Sequence, residues 1–262
     1  MRFRAFAVSA LALVLLAGCG SDEEEASSED LSTTPTTVES NPVETLPTPA
    51  ILKVYLLLDG KVNVASRAVV AGPAVGRAAL VELLEGPTRA ESARGLTSRI
   101  PPGTKLEDLA IDEEQTAIVE LSQPLDEAAS AQVVYTLTQF LTVERVRFEG
   151  EEHVRGDFEE ETPPILVESP LPGEDVTSPL RIQGTANTFE ATFNAEVRDA
   201  QGRLLGKRVV TATSGSGERG TFDASLTFGG VSGAAVLVTY ELSAEDGSRI
   251  HETEVPLRIT PP

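Results

Sequence analysis

Phe189-Glu190-Ala191-Thr192-Phe193-Asn194-Ala195-Glu196-Val197-Arg198 alternates apolar and polar residues without a break. A period of two is the signature of a β-strand with one buried face, so the stretch predicts a strand with Phe189, Phe193 and Val197 inward and Glu190 outward. Six further extended runs surround it, at Ile165–Glu168, Leu180–Gln183, Leu204–Thr213, Thr221–Phe228, Ala235–Ser243 and Ile250–Ile259. Asp199-Ala200-Gln201-Gly202 and Glu245-Asp246-Gly247-Ser248 between them have turn chemistry, and Ser214–Gly220 reads as a mobile loop. About seven short strands within roughly 100 residues predict an all-β, immunoglobulin-like sandwich over residues 164–262. The Cys and Trp core of antibody domains is absent, so only the architecture carries over.

Upstream, the pattern changes to mixed α and β over residues 51–153. Ile51–Leu58 is an aliphatic run closed by Asp59-Gly60, which predicts a hairpin into a second strand from Val62. Val75, Leu80, Leu83 and Leu84 recur at helical spacing until Gly86-Pro87 stops the segment, giving a helix over 76–85. Lys105–Ile111 and Thr116–Leu121 flank a polar turn and read as a second hairpin. A second helix is expected over 127–141, with Val133, Val134, Leu137, Phe140 and Leu141 on one stripe, before a short strand at Arg145–Phe148. The fold class is therefore α+β: a small sheet with two helices, followed by an all-β sandwich.

Three ordered blocks in the first unit resemble the GerMN domain of sporulation and germination lipoproteins. They are Ala79–Thr88 (ALVELLEGPT), Gly95–Thr104 (GLTSRIPPGT) and Ala131–Phe140 (AQVVYTLTQF). The resemblance implies a small α/β domain with helices on one sheet face, similar to ring-building motifs, and it implies no catalytic residue. In the second unit, Ser169–Gly173, Gly184–Ala186, Phe189–Thr192, Asp199–Gly202 and Ser243–Ser248 resemble the Gmad2 domain, an immunoglobulin-like module of spore-germination and cell-surface proteins.

The 262 residues carry 41 acidic and 21 basic side chains, a formal charge of −20 that disfavours a nucleic-acid partner. With aromatics at 5% and no Trp, the core must come from Val, Leu, Ile and Ala. At the N-terminus, Arg2 and Arg4 precede an apolar stretch, Ala5–Leu16, too short to span a bilayer as a helix of about 20 residues would. The stretch ends in Leu16-Ala17-Gly18-Cys19, which resembles the bacterial lipobox. That resemblance makes residues 1–19 a lipoprotein signal and implies fatty acylation of Cys19, palmitate among the acyl chains, with Cys19 as the mature N-terminus. The plainer alternative is an ordinary signal peptide followed by an incidental Cys. Residues 20–50 are Ser, Thr, Pro, Asp and Glu with no Lys or Arg. They form a disordered acidic linker that reaches ~100 Å when extended.

Chemistry-bearing constellations are missing from the sequence. The one Cys excludes an internal disulfide and a CxxC metal site, and His153 and His251 lie in different units. His153, beside Glu151 and Glu152, reads as a solvated linker residue. No nucleophile elbow, Walker loop or EF-hand loop occurs. The expectation is a non-enzymatic lipoprotein without cofactor or metal, on the extracytoplasmic face of the cell membrane. Its partners would be the bilayer through Cys19 and another protein or a second copy. It would act in sporulation, germination or envelope assembly. The alternative is a lipoprotein that binds peptidoglycan or a surface polymer in support of cell-wall homeostasis or an envelope sensor. Two candidate interaction positions stand out: the loop Pro101-Pro102-Gly103-Thr104, whose plainer reading is a rigid turn, and Glu190, whose plainer reading is a solvated strand charge.

Overall fold

The computed structural model describes residues 49–261 except 71, 73, 230 and 231. The lipobox Cys19 and the acidic linker lie outside the described residues.

Strands β1 (Pro49–Leu58) and β2 (Lys61–Val70) form an antiparallel ribbon in unbroken register, closed by Leu58 opposite Lys61. The turn residues Asp59 and Gly60 have φ of 50° and 79°, the paired left-handed geometry that an Asp-Gly hairpin provides. Helix α1 (Val75–Leu84) buries Ala79, Leu80 and Leu83 and stops where Gly86 takes a φ of 77°. A one-turn helix, α2 (Arg89–Ser92), was not expected. It forms because Thr88 and Glu91 make a reciprocal capping box, in which Glu91 N donates to Thr88 Oγ1 at 3.3 Å and Thr88 N to Glu91 Oε2 at 2.7 Å. Strands β3 (Leu106–Ile111), β4 (Thr116–Leu121), β5 (Arg145–Phe148) and β6 (Glu151–His153) make a four-stranded sheet in that order. Helix α3 (Glu127–Leu137) crosses from β4 to its parallel neighbour β5, its N-terminus capped by Asp126 accepting from Ala129 N at 2.9 Å.

Helix α3 also explains how the ribbon ends. Its Gln132 and Thr136, with Gln139 in the turn just past its C-terminus, hold the free backbone edge of β1. Gln132 Nε2 donates to Tyr55 O at 3.0 Å, Thr136 Oγ1 accepts from Tyr55 N at 3.1 Å, and Gln139 accepts from Lys53 N at 3.0 Å while donating to Lys53 O at 2.8 Å. Residues at i, i+4 and i+7 share one helix face, so three polar side chains replace a neighbouring strand and leave that edge paired. The helix is shorter than expected. Thr138 caps it by returning its hydroxyl to Val134 O at 2.7 Å, Phe140 is only half-buried, and Leu141 is 97% exposed instead of lying on the apolar stripe.

The second half is a sandwich of eight strands: β7 (Ile165–Ser169), β8 (Asp175–Val176), β9 (Leu180–Ala186), β10 (Thr192–Asp199), β11 (Leu204–Thr211), β12 (Gly220–Leu226), β13 (Gly233–Leu242) and β14 (Arg249–Ile259). One sheet runs β11-β10-β13-β14-β8 and the other β12-β9-β7. Between them Phe193 and Phe222 meet edge to face, ring centres 4.9 Å apart. Gly184 is required on β9, since a Cβ there would sit 2.0 Å from Leu166 O. Taken together, the described chain is mostly β with few helices, and its second half has immunoglobulin-like sheets.

Strand β10 begins three residues later than the alternation predicts. Phe189–Ala191 is a 3₁₀ turn, Glu190 and Ala191 have φ of 53° and 57°, and Phe189 is 64% exposed, so neither the buried Phe189 nor a strand position for Glu190 holds. The backbone there is taken by other partners: Phe189 N donates to the Glu241 carboxylate at 2.8 Å and Glu190 N to Ser216 Oγ at 3.1 Å. Ser216 in turn belongs to the 214–220 segment, which is tied down by Ser216 N donating to Thr188 O at 2.9 Å and Gly217 N to Asn187 Oδ1 at 2.9 Å. That segment is a fitted loop, where the sequence reading expects a mobile one.

Candidate interaction sites and the buried junction

The Pro101–Thr104 loop is a tight turn. Thr104 N and Thr104 Oγ1 both donate to Pro101 O, at 3.2 and 2.6 Å, and Gly103 has a φ of 82°, which after Pro102 is type II turn geometry. Thr104 is buried beneath the turn, so only Pro102 and Gly103 face outward fully. Glu190 is exposed on its own turn in the sandwich, beside the exposed Phe189. The structure does not bring the loop and Glu190 together, because they belong to different halves of the chain.

A more elaborate constellation lies where the halves meet, and sequence reasoning missed it. His153 is half-buried, not a solvated linker residue, and the segment 154–163 after it is packed. A 3₁₀ turn, Arg155–Phe158, buries Phe158 in the first core, and His153 on β6 stacks on the Phe148 ring at 4.5 Å. Arg155 places its guanidinium 4.6 Å from the Tyr135 ring centre and donates to Thr138 Oγ1 at 2.7 Å, to Tyr135 O at 3.3 Å and to Glu168 Oε1 at 2.9 Å. Tyr55, fully buried on β1, donates its hydroxyl to the same Glu168 oxygen. Two distant segments therefore converge on the Glu168 carboxylate of the sandwich. Burial pushes Glu168 upward in pKa, but Arg155 and the Tyr55 hydroxyl outweigh it and hold the group below the ordinary value. Burial and then the Glu168 charge push Tyr55 well above the usual tyrosine value.

The same segment has two more anchors. Tyr135 OH meets Thr162 Oγ1 at 2.7 Å, and Glu159 forms a two-pronged pair with Arg219 of the sandwich at 2.8 and 3.0 Å. Strand β7 completes the junction through its own alternation. Ile165 and Val167 enter the sandwich core, while Leu166 joins the core of the first half, so one strand contributes to both.

On the outer face of the five-stranded sheet, the buried Glu196 carboxylate accepts from Tyr240 OH at 2.5 Å, from Arg198 at 2.5 and 2.9 Å and from Arg249 at 3.0 Å. Burial opposes its ionisation, yet these donors lower its pKa to about 2. Glu241 sits between Phe189 N and His251 Nδ1, the latter at 2.8 Å. The one sequence signal for the junction was the lone cation Arg155 among Asp157, Glu159, Glu160 and Glu161. Among the described residues, no group of three or more His, Cys, Asp or Glu side chains is placed to hold a metal ion, and no helix is long and apolar enough to cross a membrane.

A helix-backed sheet joined by a structured, ion-paired segment to an immunoglobulin-like sandwich defines a class of two-module proteins. Comparison with known families makes that class specific. Residues 53–154 match the Germane family, described as sporulation and spore germination, and residues 164–248 match Gmad2, the immunoglobulin-like domain of bacterial spore germination. The chain carries this spore-germination domain architecture. Among solved structures, the tandem GerMN domains of the sporulation protein GerM from Bacillus subtilis are 17% identical, with 62% of this chain and 60% of that one covered and a TM-score of 0.35. CopC from Methylosinus trichosporium OB3b is 15% identical, with 35% of this chain and 86% of that one covered and a TM-score of 0.24. No curated protein matches the chain.

Proposed function

We propose that the protein is a non-enzymatic lipoprotein, anchored through acylated Cys19 on the outer face of the cell membrane, that serves germination or envelope assembly by protein–protein contact. The observation that carries this reading is the pairing of two germination-family modules through an ordered junction, which presents both as one platform. Neither family description names a catalytic activity. In this reading the helix-backed sheet associates with a second copy or a relative, and the turns at Pro102-Gly103 and Phe189-Glu190 are its outward contact points.

In-cell cross-linking with mass spectrometry tests the proposal, comparing the intact chain with Cys19→Ala. The expected result is self-links or links to one envelope complex through residues 53–154, lost when Cys19 is replaced. Links only to wall polymer through the sandwich would replace it with the peptidoglycan reading. Membrane retention of Cys19→Ala would remove the lipid anchor.

A further inference from the structure

We propose that the cleft between the two halves of the molecule is a binding site for a zwitterionic amino-acid unit with an apolar side chain. The cleft encloses about 370 Å³, within the range of small-molecule sites. Its apolar walls are Val64 and Leu96 from the first half and Val236 and Pro256 from the sandwich. The last two are cross-strand partners on β13 and β14, so they form one continuous surface.

Three polar side chains line the rim of the cleft: the half-buried Asn63 on β2, and the exposed Arg94 just after α2 and Glu254 on β14. None of them has a side-chain hydrogen bond or an ion pair among the described residues. Acids outnumber bases 41 to 21 in the chain, and arginines elsewhere in the fold, such as Arg67, Arg99, Arg155, Arg181 and Arg219, pair with a carboxylate. Arg89 and Arg208 also lack a carboxylate partner among the described residues, but Arg94 alone of these three lines the same cleft as a carboxylate without a cation, Glu254, and that placement matches a ligand that brings both charges. The planar fork of Arg94 suits an α-carboxylate, Glu254 accepts from an α-ammonium, and Asn63 can serve either group. The apolar walls then take the ligand side chain. Glu254 and Pro256 lie two residues apart on one face of β14, which places the charge next to the apolar surface.

A free amino acid and a dipeptide share this chemistry, and calorimetric titration of the full chain separates them. The probes are L-leucine, L-leucyl-L-leucine, and the singly charged N-acetyl-L-leucine and L-leucinamide. Saturable binding is expected for leucine or the dipeptide, with the blocked compounds at least about tenfold weaker, as loss of a charge-assisted hydrogen bond implies. Arg94→Met and Glu254→Gln should each weaken binding by a similar factor at an unchanged melting temperature, since both side chains are exposed and unpartnered. Absence of saturable binding by both zwitterions, equal binding of the blocked compounds, or binding indifferent to both substitutions would overturn the proposal. It goes beyond the protein-contact reading and does not depend on it.

Discussion

Two ion-paired carboxylates, the half-buried Glu168 at the junction and the buried Glu196 on the sandwich face, do different work. The partners of Glu168 come from β1 and from the segment between the modules, far apart in the chain. Those of Glu196 come from its own strand β10 and from β13 and β14, all within one sheet. Glu168 therefore ties modules together, whereas Glu196 fastens strands that already pair through their backbones. The comparison shows that a paired charge has structural consequence according to which segments it joins, beyond the energy of the pair itself.

The largest effect should come from breaking the first of these. Arg155→Met leaves the half-buried Glu168 without its cation and should lower the unfolding free energy by about 3 kcal/mol in urea denaturation, the lower end for such a pair because both side chains keep some solvent. Adding Glu168→Leu should recover much of that loss, because the uncompensated charge is then gone. Acid is the next probe. Glu196 has its folded pKa depressed from 4.5 to about 2, so its stabilisation is fully present above about pH 4.5 and is lost as pH falls through about 2. That stabilisation is on the order of 3 kcal/mol, and Glu196→Gln should flatten this acid limb of a stability-versus-pH curve. Gln132→Leu should cost about 1–3 kcal/mol by thermal melting, because it strands the buried Tyr55 carbonyl on the β1 edge. Phe189→Ser should change stability by less than about 0.5 kcal/mol, since the ring is exposed, while weakening any cross-link made through that turn.

Much of the fold was legible where local rules act alone. Asp59-Gly60 makes the expected hairpin, Gly86 ends the first helix, and the extended runs after Ile165 become strands. The failures have a common cause in distant backbone capture. Alternation from Phe189 implies a strand, but Glu241 and Ser216, remote in sequence, bind the amides of residues 189 and 190 and turn the chain. Gln132 and Thr136 on the buried run of α3, and Gln139 just past its end, look like interruptions until β1 is placed beside them. The Thr88 and Glu91 capping box was present in the sequence and is a local signal that predicts α2. The junction was least legible, since nothing local links Arg155 to Tyr55 and Glu168.

Scanning calorimetry of the full chain tests the central claim, that both modules act as one platform through the Glu168 junction, most directly. The account predicts a single cooperative transition whose calorimetric and van't Hoff enthalpies agree, splitting into two when Arg155 is replaced by Met. Two independent transitions in the native chain would contradict it.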